Sequence, residues 1–356
     1  MLSKNEIIAG IASEKFIVRN AVYRYVCNLH LYDDEQINDA LINFVQNNYH
    51  RINFVGLVYS KLNKKIIECL IEISLKEDND FIKESISSVL VRHYNLIKDM
   101  NYNFEEIIND EKNLLIYKKI KHFSKKEPSE LIELYKNNIN EYYFSDNDTY
   151  TTEILRIAIG TALIQTKEGY EKLLAYMYEL LEQSEEDAED FIFDHMPYLV
   201  YPLCQYSDPS YYAFVLDLYL SNMDFIGYAE ECNYYFSSIC SDEFINSYIN
   251  ILKSFYKKDL EDYYYDISEY LNSDTIDMFL FEELKKNKDI IIKENIIRIL
   301  ASKFNKNIIP FALEFIRNNE FDDEEGLKEA VVPLLILENC DDELSKSIIQ
   351  EVKNLD

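Results

Sequence analysis

The sequence predicts an all-α chain of about sixteen to eighteen helices arranged as a stack. Three observations carry that expectation. Turn formers are scarce, with six Gly and six Pro in 356 residues, where average usage gives about 25 and 18. Apolar residues recur at helical rather than alternating spacing. Several helices so defined are apolar on two sides, as expected of a helix held between neighbours in an array.

In chain order, Ser3 with Glu6 makes a capping box that opens the first helix. Ile37, Ala40, Leu41, Phe44 and Val45 follow the i, i+3, i+4, i+7, i+8 rule. Ser184-x-x-Asp187 is a looser capping box, and Asp208-Pro209 reads as an N-cap followed by Pro at the first helical position. Tyr212, Val215, Leu216, Tyr219 and Leu220 form the next face, with Phe214 and Leu218 opposite. Ile245, Tyr248, Ile249 and Leu252 repeat the spacing, as do Ile292, Ile296, Ile299 and Leu300. Residues 137–152 collect Asn137, Asn138, Asn140, Ser145, Asp146, Asn147 and Asp148, a turn-forming cluster read as a joint within a continuous array.

Near the C-terminus the chain resembles HEAT-type helical repeats. Asn307 to Ile316 holds an early Pro310, and Asp322 to Leu335 opens on acidic residues and carries Lys328 before small apolar residues. Lys293 to Ala301 resembles the second helix of a preceding repeat, and Arg19-Asn20-Ala21-Val22 is a fainter echo. The resemblance is clearest over residues 289–340. It implies an α-solenoid of antiparallel HEAT-like helix pairs, typically a binding scaffold.

Charge divides the chain. The formal net charge is −29, and residues 1–130 hold 18 Lys+Arg against 19 Asp+Glu, so nearly all the excess lies beyond them. This gives a charge-neutral region 1–140 and a strongly acidic region 141–356, read as continuous arrays. From Leu173 to Leu252, eighty residues contain no Lys or Arg, but fifteen Asp or Glu and twelve Tyr. An even spread would place about eight basic residues there. AT-rich codon bias accounts for many Tyr and no Trp, but it favours Lys and so does not explain the gap. With no signal-like segment and no apolar run of membrane length, the expected location is the cytoplasm.

Catalytic and metal patterns are sparse. The five His, at 30, 50, 93, 122 and 195, form no i, i+4 pair, and no CxxC, HExxH or Gly-rich phosphate loop occurs. His195 follows Asp194, but adjacent helical residues do not face each other. Cys232 and Cys240 share an apolar face with Phe225, Ala229 and Phe236 and read as core. Asp146-Asn147-Asp148 begins like a calcium loop, but Thr151 stands where the central Gly is needed. No cofactor and no catalytic residues are therefore expected. The cluster Lys118, Lys119, Lys121, His122, Lys125 and Lys126 is the one basic patch. It leaves open an alternative, a DNA-glycosylase-like enzyme on a HEAT-like scaffold using the N-terminal third. The net charge disfavours nucleic acid.

The remaining signal is acidic and aromatic. Glu186, Asp190 and Asp194 repeat at i, i+4, i+8. Glu230/Tyr234 and Glu231/Tyr235 are expected as outward i, i+4 pairs, and Asp262, Tyr264 and Asp266 repeat the chemistry. A carboxylate beside a tyrosine ring suits a cation through Coulomb and cation–π attraction. The expectation is a non-enzymatic scaffold whose acidic, Tyr-rich half docks a basic protein or peptide surface, in one version an inhibitor or immunity-type protein.

Overall fold

The computed structural model describes residues 2–52, 54, 57–58, 62–144, 149–182, 206–221, 229–254, 262–318 and 322–353. Every regular element among the described residues is helical. The chain divides into two compact units, Met1–Asn48 with Phe236–Asp356, and Tyr49–Tyr235. The charge boundary near residue 140 does not coincide with either junction. Within the turn-forming cluster, residues 145–148 lie outside the described residues.

The first unit opens with α1 (Lys4–Ile11), α2 (Phe16–Asn28) and α3 (Glu35–Asn48). The second unit contains α4 (Lys64–Lys76), α5 (Asp80–Arg92), α6 (Tyr94–Ile97), α7 (Phe104–Ile107), α8 (Glu111–Phe123), α9 (Pro128–Phe144), α10 (Thr149–Leu163), α11 (Lys167–Glu182) and α12 (Tyr212–Ser221). The helix α13 (Ala229–Ser238) spans the second junction. The chain closes with α14 (Asp242–Ser254), a 3₁₀ segment Asp262–Tyr270, α15 (Asp274–Lys286), α16 (Ile290–Ser302), α17 (Ile309–Arg317), α18 (Glu324–Leu337) and α19 (Glu343–Lys353).

Side-chain caps start these helices. The Ser3–Glu6 capping box is present, with each side chain accepting the other's backbone N–H. The pairs α4–α5 and α15–α16 share one design of thirteen residues, a three-residue break and thirteen residues. In each break the last residue, Asn79 or Asp289, accepts two backbone N–H groups of the following helix. Phe81-Ile82-Lys83-Glu84 and Ile291-Ile292-Lys293-Glu294 then occupy matching positions, and Ile86/Ile296 and Leu90/Leu300 fill the core. One such pair lies in each unit.

In the second unit α10 packs on α8, α9 and α11. Its core includes Ile120, Tyr135, Ile159 and Leu163, all fully buried. In the first unit α16 packs on the 3₁₀ segment, α15 and α18, while α18 packs on α17 and α19. The N-terminal helices join this C-terminal set. Asn28 Nδ2 donates to Glu269 Oε1 at 2.9 Å across 241 residues, and the Tyr25 ring meets Phe304 edge-on at 5.5 Å. These long-range contacts exceed what a strictly nearest-neighbour stack would make.

Ion pairs connect successive helices of the first unit. Glu294 on α16 is buried and accepts the backbone N–H of Asp322 at 2.6 Å. Arg298 lies 3.7 Å from Glu294 and 3.5 Å from Asp323. Asp323 in turn caps α18 by accepting from the Gly326 N–H at 3.0 Å. A Cβ at Gly326 would stand 2.2 Å from Asp323 Oδ2 and 2.8 Å from Arg298 Nη2, so a larger residue there would push the ends of both side chains aside. Lys328 contacts both Glu324 and Glu351, tying α18 to α19. Lys303, 1% exposed, pairs with Asp277, and Asn305 Nδ2 holds the other carboxylate oxygen at 2.9 Å. Lys303→Ala, which strands Asp277, should cost about 3–5 kcal/mol in chemical denaturation, and the double change Lys303→Met with Asp277→Leu should recover most of it.

A chain with six glycines ends several helices without them. His30, Phe304 and Asn339 adopt φ of 50°, 52° and 53°. After α16 the Phe304 N–H donates to the Ala301 carbonyl and the Asn305 N–H to Leu300; after α18, Asn339 and Cys340 do the same to Ile336 and Leu335. This closing motif ordinarily recruits glycine. Phe304 offsets the cost by burying its ring, while Asn339 is exposed and relies on the tolerance of Asn for left-handed backbone. Asn339→Ala should lower stability by about 1 kcal/mol, and Asn339→Gly should not, as read from urea midpoints.

Candidate partner-binding surfaces

The acidic, Tyr-rich surface expected from sequence resolves into parts with different roles. Glu186, Asp190, Asp194 and His195 lie outside the described residues. Glu230 and Glu231 lie in the first turn of α13. Their expected partners do not face outward. Tyr234 is 6% exposed and Tyr235 fully buried, within a run from Cys232 to Phe236 that is buried at every position. Periodicity assigned this helix one buried face; over these five residues it is covered all round. Tyr235 donates its O–H to the Asp208 carbonyl at 2.5 Å, so the phenol serves the fold.

The second cluster corrects the expectation in the same way. Asp262 starts the 3₁₀ segment, Tyr264 is buried, and the Tyr264 carbonyl accepts from the fully buried Tyr248 hydroxyl. Asp266 is half-buried and accepts from Asn295 Nδ2 at 2.8 Å. Burial pushes the phenols of Tyr248 and Tyr265 well above the ordinary tyrosine range. Tyr234, Tyr235 and Tyr264 therefore offer no ring face to a partner.

The carboxylate–tyrosine cation arrangement does occur among the described residues, filled by the protein's own lysine. Lys136 on α9 reaches Glu179 on α11 at 2.8 Å and sits 4.8 Å from the centre of the Tyr176 ring. Burial, then the Glu179 charge, pushes the Tyr176 phenol up to about 12. An ammonium group from outside the lysine-free stretch thus neutralises one of its carboxylates.

Three lysines of the basic cluster are also paired with carboxylates of the chain. Lys118 and Lys121 both contact Glu105, at 3.8 and 3.5 Å, and Lys126 pairs with Glu130. Lys121 also lies 5.8 Å from the Tyr117 ring. Cys232 is buried, and burial pushes the half-buried Cys240 thiol up. Among the described residues no three His, Cys, Asp or Glu side chains converge as metal ligands, and no helix is long and apolar enough to cross a membrane.

Exposed carboxylates of the first unit concentrate in helix starts. Asp242 and Glu243 open α14, Asp274 opens α15 and Glu343 opens α19. There they complement the positive end of the helix dipole and also face solvent. Sequence reasoning missed a feature on α15, where Met278 and Phe281 occupy non-core positions. The signal was available, since two large apolar residues stand at i, i+3 opposite the buried Ile276, Leu280 and Leu284.

No family model matches the chain, and no curated protein matches it either. The geometry alone therefore carries the functional reading. Tyr235→Phe should cost about 1 kcal/mol of stability through loss of the bond to Asp208, while leaving any partner affinity unchanged in titration calorimetry.

Proposed function

We propose that this chain is a non-enzymatic protein-binding scaffold of HEAT-like helix pairs whose acidic half docks a basic protein surface. The observation that carries the reading is the eighty-residue stretch without Lys or Arg in a chain of net charge −29. Such a region projects a negative field that steers a cationic partner and repels nucleic acid and anionic lipid. Pro310 in the first turn of α17, the Asp323 cap of α18 and the Arg298–Asp323 contact support a HEAT-like pairing at the C-terminus. The pairing of Lys118, Lys121 and Lys126 with Glu105 and Glu130 supports protein binding over a nucleic-acid enzyme.

Burial of Tyr234, Tyr235 and Tyr264 changes the mechanism of docking. Attraction comes from carboxylates, with Glu230 and Glu231 the nearest candidates in the described helices, and not from a tyrosine cage. An inhibitor or immunity-type protein covering a cationic site is the concrete version of this reading. Association dominated by unpaired surface charge weakens steeply with salt. Proteins retained from lysate at low salt should be basic, and raising the salt should release them. For a retained partner, Glu230→Lys with Glu231→Lys should slow association at least about tenfold. Retention indifferent to salt, or on heparin rather than on basic proteins, would overturn the proposal.

A further inference from the structure

Among the described residues of the lysine-free stretch, Tyr206 is the exposed tyrosine, at 39%. It opens a short turn of the second unit that runs to Tyr211. One face of its ring lies on the Tyr170 ring of α11, with centroids 3.9 Å apart and planes 14° from parallel. Its exposed area therefore belongs to the outer face and edge. Tyr211 meets the same Tyr170 ring edge-on at 6.3 Å. The turn is pinned around Asp208. Its Oδ1 accepts the Ser210 N–H at 2.9 Å, and its carbonyl accepts the Tyr235 hydroxyl. Pro209 fixes the backbone between them. Tyr235 stands four residues after Glu231 on α13, so the turn adjoins the helix that carries Glu230 and Glu231.

Two observations mark this turn as a place for a cation. First, no ion pair reaches Asp208 among the described residues. Residues 182–205, which lead into the turn, hold seven Asp or Glu and no Lys or Arg. The lysines on either side of Tyr170 are engaged on their own helix, Lys167 with Glu171 at 3.6 Å and Lys172 with Glu168 at 3.7 Å. Those four charges cancel, and Asp208 leaves the local balance negative. Second, Tyr170 is 2% exposed and its hydroxyl has no hydrogen-bond partner among the described residues. Burial first, then the Asp208 carboxylate, pushes that phenol well above the ordinary tyrosine range. A buried hydroxyl left unpaired costs stability. Here it stands in the field of a carboxylate that has an oxygen to spare, and a multidentate N–H donor supplies what both oxygens lack.

We propose that the Tyr206–Asp208 turn takes an arginine side chain of the basic partner, a site that rests on the docking function proposed above. A guanidinium is planar, weakly hydrated and carries five N–H donors, so it stacks on the outer face of Tyr206 while donating to Asp208. An ammonium group has no flat face to stack. The pinned backbone holds ring and carboxylate in place before the partner arrives, which lowers the ordering cost of binding. A single ring beside a single carboxylate replaces the tyrosine cage that burial of Tyr234, Tyr235 and Tyr264 removes. The acidic half then discriminates between arginine and lysine, which a field alone does not.

The probes are nona-arginine and nona-lysine, peptides of equal charge, titrated into the full chain by fluorescence anisotropy at low and raised salt. Nona-arginine should bind about threefold more tightly. Tyr206→Leu should erase that preference, and Tyr206→Phe, which keeps the ring, should retain it. Asp208→Asn, whose amide oxygen can still cap Ser210, should weaken nona-arginine about threefold. Circular dichroism checks that each variant keeps its helices, and the peptide ratio for the unaltered chain depends on no variant. Equal affinity for two peptides that salt releases would overturn this proposal and leave the wider docking function standing. So would an arginine preference that survives both Tyr206→Leu and Asp208→Asn. Binding of neither peptide at low salt would overturn both.

Discussion

Positive charge is the limiting constraint on this fold. Thirty-six Lys and Arg face sixty-five Asp and Glu, and several basic groups therefore serve two acceptors. Arg298 spans Glu294 and Asp323, and Lys328 spans Glu324 and Glu351. Lys136 holds a carboxylate and a ring together. A cation shared between two helices fixes their relative register, because moving either helix breaks a contact. Lys303 is the extreme case, with burial that makes Asp277 and Asn305 obligatory neighbours.

The same constraint changes the meaning of the lysine-free stretch. An absence of lysines along the chain does not make an absence of ammonium groups in space, as Lys136 shows by folding onto Glu179 from outside the stretch. Carboxylates at helix starts have a second duty toward the backbone dipole, which needs no partner protein. The docking reading thus rests on the remaining excess of negative charge, not on every acidic residue along the sequence.

The helical class was readable because it depends on local facts, namely few turn formers, apolar spacing and side-chain caps. The Ser3–Glu6 box and the face through Ile292, Ile296, Ile299 and Leu300 needed nothing from elsewhere in the chain. The tyrosines were misread because Tyr is amphipathic, so its outward placement cannot be inferred from spacing once one face of a helix has been assigned to the core. What buries Tyr235 includes a bond to a carbonyl 27 residues away, and what joins the N-terminal helices to Glu269 and Phe304 lies farther still. The likeness between α4–α5 and α15–α16 was hidden for a related reason: its matching residues are few and scattered, and the identical helix lengths are visible only in the fold.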